Sequence, residues 1–166
     1  MKANRIAVAS LVLLVALSAA AQSGPQKPFD TMKSLTGAWQ GKNSQGEPVE
    51  VSYRVTSGGV LMSEIQTAMK GHEEDMISMI HMDGGRLLLT HYCAAGNQPR
   101  MQASASPDGK TITFDFLDAT NLASPDAGHM HRVAFTFIDA NHHTEEWRFV
   151  DHGKEMVERF DLERKS

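Results

Sequence analysis

The chain has 166 residues, a formal net charge of −4 and a single cysteine, Cys93. Charges of both signs are scattered along it, which argues against the basic surface of a nucleic-acid-binding protein. With one cysteine, no internal disulfide can stabilise the fold. We expect one domain of ordinary size, because a domain commonly takes roughly 100–150 residues.

Residues 1–21 are predicted to be a cleaved signal peptide. Lys2 and Arg5 form a short positive region, and residues 6–17 form an apolar run without a charge. Ala19 and Ala21 give the small-residue pattern that signal peptidase recognises. The run is shorter than the about 20 residues of a transmembrane helix. We therefore expect a secreted or periplasmic protein with no transmembrane segment after cleavage; an uncleaved N-terminal anchor is the alternative.

Residues 22–28 are predicted to be a flexible leader, and residues 29–166 the folded domain. Asp30 is expected to cap a short helix over residues 30–35, with the apolar Phe29 before it. From residue 36 onwards, short alternating runs are separated by turns, which is typical of an all-β protein. Ten strands are predicted: 36–42, 48–56, 60–67, 75–82, 86–92, 99–106, 111–117, 129–139, 143–150 and 154–164.

The connections predict how these strands pair. No segment after residue 36 has helical periodicity long enough for a crossover, so the strands are expected to pair antiparallel with their sequence neighbours. Closure into an up-and-down β-barrel would remove the two exposed edges. The turns after strands two, four, six and eight are tight, whereas 68–74, 93–98 and 118–128 are longer connections at the other end. This other end is the expected binding mouth.

The sequence Gly37-Ala38-Trp39 resembles the first strand of the lipocalin-like, or calycin, barrels. Those proteins begin with a short helix and a Gly-x-Trp, and often place an arginine of the last strand over that tryptophan. The resemblance implies that Arg164 makes a cation–π contact with Trp39 and closes the barrel. Ten strands are more similar to the fatty-acid-binding or haem-binding members, and the resemblance suggests an exported bacterial branch. It carries over no ligand residue.

Histidines are expected to converge beneath the open mouth. Alternation along residues 129–139 places His129 and His131 on the apolar inner face, and His91 ends strand five at the same rim. The His-x-His spacing suits a metal ion, and Glu145 would then be a general base. A contact to a polar ligand or a haem is a second possibility, and hydrogen bonding within the rim is a third.

The favoured function is the binding of a small apolar or amphipathic molecule. Arg100 suits a ligand carboxylate or an ion pair with Asp118 or Glu73. Cys93 next to His91 suits a nucleophile, although a small buried cysteine is the preferred interpretation. A metal- or haem-dependent protein or enzyme is one alternative, and a packed barrel that binds proteins is another. The predicted ligand-binding residues are Tyr53, Leu89, His91, Tyr92, Arg100, Phe114, Phe116, His129, His131, Phe135 and Trp147.

Overall fold

A computed structural model describes residues 24–69 and 72–166. The predicted signal peptide lies outside these residues. One helix, α1 (Gln26–Lys33), precedes ten strands. The strands are β1 (Gly37–Lys42), β2 (Pro48–Thr56), β3 (Val60–Met69), β4 (His72–Asp83), β5 (Arg86–Tyr92), β6 (Gln98–Ala105), β7 (Thr111–Thr120), β8 (His129–Phe137), β9 (His142–Asp151) and β10 (Lys154–Arg164).

The ten strands form one closed antiparallel barrel, as the sequence predicts. Each strand pairs with its sequence neighbours, and β1 pairs with β10 to complete the ring. The predicted segments match the strands to within a few residues. No helix among the described residues is long and apolar enough to cross a membrane.

Helix α1 begins earlier than the sequence predicts. It starts at Gln26, with Pro25 at the N-cap position, so Asp30 lies inside the helix and is not its cap. Pro28 is compatible with this start because the first-turn N–H groups of a helix have no intrahelical acceptor. Phe29 and Met32 are buried in the core of the barrel. The helix therefore plugs the end at which β1 begins, called here the closed end.

The seam between β1 and β10 carries the predicted Trp39–Arg164 contact. The Arg164 guanidinium lies 4.2 Å from the centre of the Trp39 ring. It donates hydrogen bonds to the carbonyl oxygens of Thr36 (2.8 Å) and Ser34 (2.9 Å), just after α1. A positive charge is favourable at a helix C-terminus, so Arg164 links the plug, the first strand and the last strand.

Two glycines allow the seam to close tightly. Gly37 has a φ of +131°, and a Cβ there would lie 2.9 Å from the Arg164 guanidinium. A Cβ on Gly41 would lie 1.9 Å from the carbonyl oxygen of Asp161. The backbones of β1 and β10 approach each other at Gly41 more closely than a side chain permits.

Candidate functional site

A cavity of about 890 Å³ opens at the end opposite α1, called here the open end. Its volume lies within the range of roughly 300–1,000 Å³ typical of small-molecule sites. It is bordered by the β1–β2 and β5–β6 loops and by residues of six strands. The lining residues are Gln45, Glu47, Ile65, Met76, His91, Cys93, Ala94, Ala95, Met130, Trp147, Phe149, Met156, Val157, Glu158 and Phe160.

His91 is the polar group held most deeply in the cavity wall. It is fully buried and lies opposite Ser78 on β4, whose Oγ is 3.0 Å from His91 Nδ1. Its Nε2 is buried and has no hydrogen-bond partner among the described residues. A buried polar atom without a partner costs free energy unless a bound molecule supplies one. The ring is therefore fixed through Nδ1, and His91 borders the cavity with its Nε2 unsatisfied.

The imidazole of His91 is neutral near physiological pH. Burial disfavours its charged form and lowers its pKa from 6.5 to about 4. The hydrogen bond with Ser78 is possible for either neutral tautomer, since a hydroxyl both donates and accepts. Nε2 can thus donate to or accept from a ligand, but it does not provide a positive charge.

Trp147 forms the wall beside His91. The two ring centres are 4.8 Å apart, with an angle of 41° between the planes. The Trp147 indole Nε1 donates a 2.8 Å hydrogen bond to Glu145 Oε2. Glu145 therefore sets the orientation of the indole that the cavity presents.

Behind this wall, Glu145 belongs to a buried polar network with Tyr53 and His143. The Tyr53 hydroxyl donates to Glu145 Oε1, and His143 Nε2 lies 3.3 Å from the same oxygen. Burial, and secondarily the Glu145 carboxylate, raises the pKa of Tyr53 well above its ordinary value. His143 packs edge-on against Trp39, with ring centres 4.3 Å apart. Its Nδ1 is buried without a partner among the described residues, but His143 does not border the cavity.

The charged groups at the cavity are acidic. Glu47 and Glu158 border it, and no lysine or arginine does so among the residues that the structure describes. Glu47 Oε2 accepts a 2.9 Å hydrogen bond from the Asn43 side chain, and Glu158 Oε1 accepts one of 2.7 Å from the Ser44 N–H. This arrangement disfavours an anionic ligand and favours a neutral or cationic one.

A β-bulge removes His129 and His131 from the predicted inner face. The pairing of β8 with β9 shifts between Met130 and Arg132, so the simple alternation breaks at His131. Met130, opposite Phe149, borders the cavity instead. His129 is buried against Phe116, whereas His131 is exposed and stacks on the same ring, with a centre distance of 5.1 Å.

The predicted three-histidine metal site does not form. Within residues 24–69 and 72–166, no three His, Cys, Asp or Glu side chains are grouped closely enough to hold a metal ion. His129 Nε2 lies 3.2 Å from His131 Nδ1, while His91 is held by Ser78. Nor is Glu145 placed as a general base, because it is fully buried behind Trp147 and does not border the cavity.

Of the predicted ligand-binding residues, His91 and Trp147 border the cavity and the others do not. Leu89, Phe114 and Phe135 belong to the core of the barrel. Tyr53 is in the network and Phe116 is under the histidine pair. The remaining two side chains, Tyr92 and Arg100, are exposed, and Arg100 forms an ion pair with Asp118. The prediction that Arg100 meets a ligand carboxylate is corrected by this pair, which fixes its charge on the outer surface.

Sequence reasoning missed Ser78 and Met130 as site residues. Strand 75–82 is apolar on both sides, which hides the one inward serine that holds His91. Met130 faces inward only because the bulge at His131 shifts the alternation of β8. Phe149 borders the cavity on the inner face of β9, where the alternation with His143, Glu145 and Trp147 predicts it, although it was not among the predicted ligand-binding residues.

The chain therefore folds into a closed, ten-stranded, up-and-down β-barrel with a cavity at one end. Neither a family model nor a curated protein matches the chain. Among solved structures it is similar to Rv2717c from Mycobacterium tuberculosis, with a TM-score of 0.57 and 16% identity, over 84% of this chain and 98% of that one.

A second similar structure is a protein of unknown function of the DUF3598 family from Nostoc punctiforme. The TM-score is 0.53 and the identity 12%, over 81% of this chain. The match covers 49% of that protein, so this chain corresponds to about half of it. At these identities the two comparisons support the barrel fold alone.

Proposed function

We propose that this protein binds a small, neutral or cationic amphipathic molecule in the open-end cavity. The observation that carries the proposal is the unpartnered Nε2 of the buried His91, which borders an otherwise largely apolar cavity. A hydroxyl, carbonyl or amine of the ligand would pair with this nitrogen. The apolar part would contact Trp147, Met76 and Phe160, with apolar burial contributing about 25 cal/mol per Å².

The proposed ligand differs in charge from a fatty acid, which the resemblance to fatty-acid-binding calycins would suggest. A carboxylate would enter a cavity bordered by Glu47 and Glu158, and a neutral His91 would not compensate its charge. An alcohol, an amide or an amine meets no such repulsion. The sequence-based interpretation as an exported member of a lipocalin-like group is consistent with this role and is part of the proposal.

The test is a titration with N-phenyl-1-naphthylamine, a neutral probe that fluoresces in apolar surroundings. Dodecan-1-ol, dodecylamine and dodecanoate then compete for the site. We expect displacement by the alcohol and the amine at concentrations roughly tenfold or more below that of the carboxylate. Met76→Trp, which fills the cavity, should abolish binding, whereas Met79→Trp, on the outer face of the same strand, should not. Failure of the probe to bind, or equal binding to both tryptophan variants, would contradict the proposal.

Haem binding is a second candidate, because one specific feature favours it. A metal-ligating histidine usually has its other ring nitrogen held by a hydrogen bond, as Ser78 holds His91 Nδ1. His91 is neutral, borders a largely apolar cavity and has an unpartnered Nε2, so it would suit a ligand of a haem iron. The two propionates of a haem would have to point out of the cavity, away from Glu47 and Glu158. Haemin titration followed by absorbance tests this: a Soret band that depends on His91 supports it, and an unchanged haemin spectrum contradicts it.

A packed barrel that acts only as a protein-interaction domain has less support. That alternative requires side chains to fill the interior, whereas the open end contains a cavity of about 890 Å³. The closed half is the packed part, where Phe114 and Phe135 meet with ring centres 5.9 Å apart.

A further inference from the structure

The barrel wall is incomplete beside β10 at the open end. Strand β1 ends at Lys42, which pairs with Asp161, whereas β10 begins at Lys154. Among the described residues, positions 154–160 of β10 therefore have a strand partner on one side only, which is β9. The β1–β2 loop, residues 43–47, covers the side that β1 does not reach.

The cavity extends into this gap. Met156 and Val157 are adjacent on β10, and adjacent strand residues point to opposite faces. Met156 pairs with Phe149, which faces inward, and Val157 pairs with Arg148, which is ion-paired at the surface with Glu155. Nevertheless both Met156 and Val157 border the cavity, and they are 56% and 47% exposed. This is possible where the cavity continues past the edge of the strand to the outside.

Ser44 fastens the loop across the gap. Its N–H donates a 2.7 Å hydrogen bond to Glu158 Oε1, and its Oγ accepts a 3.0 Å hydrogen bond from the N–H of Arg159. The base of the loop is held independently by Asn43, whose Oδ1 accepts from the N–H groups of Gln45 (3.0 Å) and Glu47 (2.8 Å). The hydrogen bonds of Asn43 thus lie within the loop, whereas the two Ser44 contacts join the loop to β10.

We propose that ligands enter and leave the cavity through this side window, between residues 156–158 and residues 43–47, and that the Ser44 contacts are its latch. The inference rests on the proposed ligand-binding function. The competing route is the end of the barrel, beside Ala94 and Ala95. There the long β7–β8 loop is tied down by hydrogen bonds from Asn97 to the Gly128 carbonyl and from Asn121 to the Gly96 carbonyl, both 2.7 Å.

Stopped-flow fluorescence with N-phenyl-1-naphthylamine distinguishes the two routes. Ser44→Pro removes both latch contacts, the N–H and the Oγ, without changing a cavity residue, because Ser44 is the first central residue of the turn from Asn43 to Gly46, a position that favours proline. We expect association and dissociation rates to rise together by roughly tenfold, from two lost hydrogen bonds. The dissociation constant should change by less than about twofold, because a gate alters the barrier and not the bound state. The matched control, Asn97→Ala/Asn121→Gly, loosens the end loops and should leave both rates unchanged. Glycine at position 121 suits its φ of +54°.

A reversible disulfide between the loop and β10 provides a second measurement of the exchange rates. Ser44→Cys/Glu158→Cys and Ser44→Cys/Arg159→Cys, each in a Cys93→Ser background, would fasten the loop to β10 when oxidised. In whichever variant forms the disulfide, exchange should slow by roughly tenfold or more and recover on reduction. Unchanged rates in the latch variant, or faster exchange in the end-loop control alone, would overturn the side window while leaving ligand binding intact. Absence of probe binding in the wild type would overturn both proposals.

Discussion

Ser78 and His91 lie opposite each other on β4 and β5, and their side chains are joined by a 3.0 Å hydrogen bond inside the barrel. This contact occupies Nδ1 of a histidine that borders the cavity, and its Nε2 has no partner in the described part of the chain. One pair of residues thus determines the orientation of the imidazole and leaves Nε2 as the nitrogen with which the proposed ligand would pair. The same burial predicts that the protein loses stability in acid.

We predict that His91 makes the fold less stable in acid. Its pKa is about 4 in the folded protein and 6.5 ordinarily, so the unfolded chain binds more protons between these values. The free energy of unfolding should therefore fall as the pH drops from 6.5 to 4, by about 3 kcal/mol in total. Urea unfolding at several pH values should show this slope in the wild type and lose it in His91→Gln.

His152→Gln is the control for this titration. His152 is exposed, and its hydrogen bond with Asp151 raises its pKa. Its stabilising contribution therefore has the opposite sign: it is present at low pH and is lost as the pH rises through the raised pKa. Solvent screening keeps that contribution small. A slope between pH 6.5 and 4 that survives in His91→Gln would contradict the assignment.

Removal of the Tyr53 hydroxyl should destabilise the network that orients Trp147. Tyr53→Phe takes one donor from the fully buried Glu145 carboxylate, and we expect a loss of about 1–3 kcal/mol. Tyr92→Phe is the matched change at an exposed tyrosine and should cost almost nothing. Unfolding in guanidinium chloride measures the stability of both variants. Only Tyr53→Phe should change the fluorescence of Trp147. Equal stabilities would show that the Tyr53 hydroxyl is dispensable.

We predict that a lysine at position 164 cannot provide the stability that Arg164 gives to the seam between β1 and β10. Lys cannot lie flat over Trp39 while it donates to the Thr36 and Ser34 carbonyls, so Arg164→Lys should lose about 1–3 kcal/mol of stability. Arg159→Lys, at an exposed residue that pairs with Asp161, should change the stability by less than about 0.5 kcal/mol. Thermal unfolding of the two variants tests this. Equal melting temperatures would show that a positive charge at position 164 is sufficient and that the guanidinium is not required.

Gly41→Ala should open the same seam. The added Cβ would lie 1.9 Å from the Asp161 carbonyl oxygen, so the backbones of β1 and β10 would have to separate. We expect a loss of about 1–3 kcal/mol or more, as for other overpacked sites. Gly85→Ala, where the new Cβ would meet no atom within 4 Å, is the control. If the two variants unfold at the same denaturant concentration, the close approach at Gly41 does not exist in solution.

The sequence allowed the barrel to be predicted because its strands have a clear period of two. Val49, Val51 and Tyr53 are all buried along β2, as their alternation predicts. The Trp39–Arg164 contact was also predictable, since the ends of a closed meander must meet. The open end followed from the long loops, which have no counterpart at the α1 end.

The candidate site was only partly predictable. A single extra residue at His131 reverses the alternation of β8, and nothing in the local sequence marks the bulge. The position of Glu145 on an inner face was predicted, but its burial behind Trp147 depends on how side chains from three strands pack. The unequal lengths of the predicted strands 36–42 and 154–164 did contain a signal for the side window. That signal becomes interpretable only when the register of the seam is known.

The most direct test of the central claim is ¹⁵N NMR of the histidine side chains during titration with dodecan-1-ol. We predict that the Nε2 resonance of His91 moves as the cavity fills, while those of the exposed His142 and His152 stay in place. Saturation of the cavity without any change at His91 Nε2 would contradict the account.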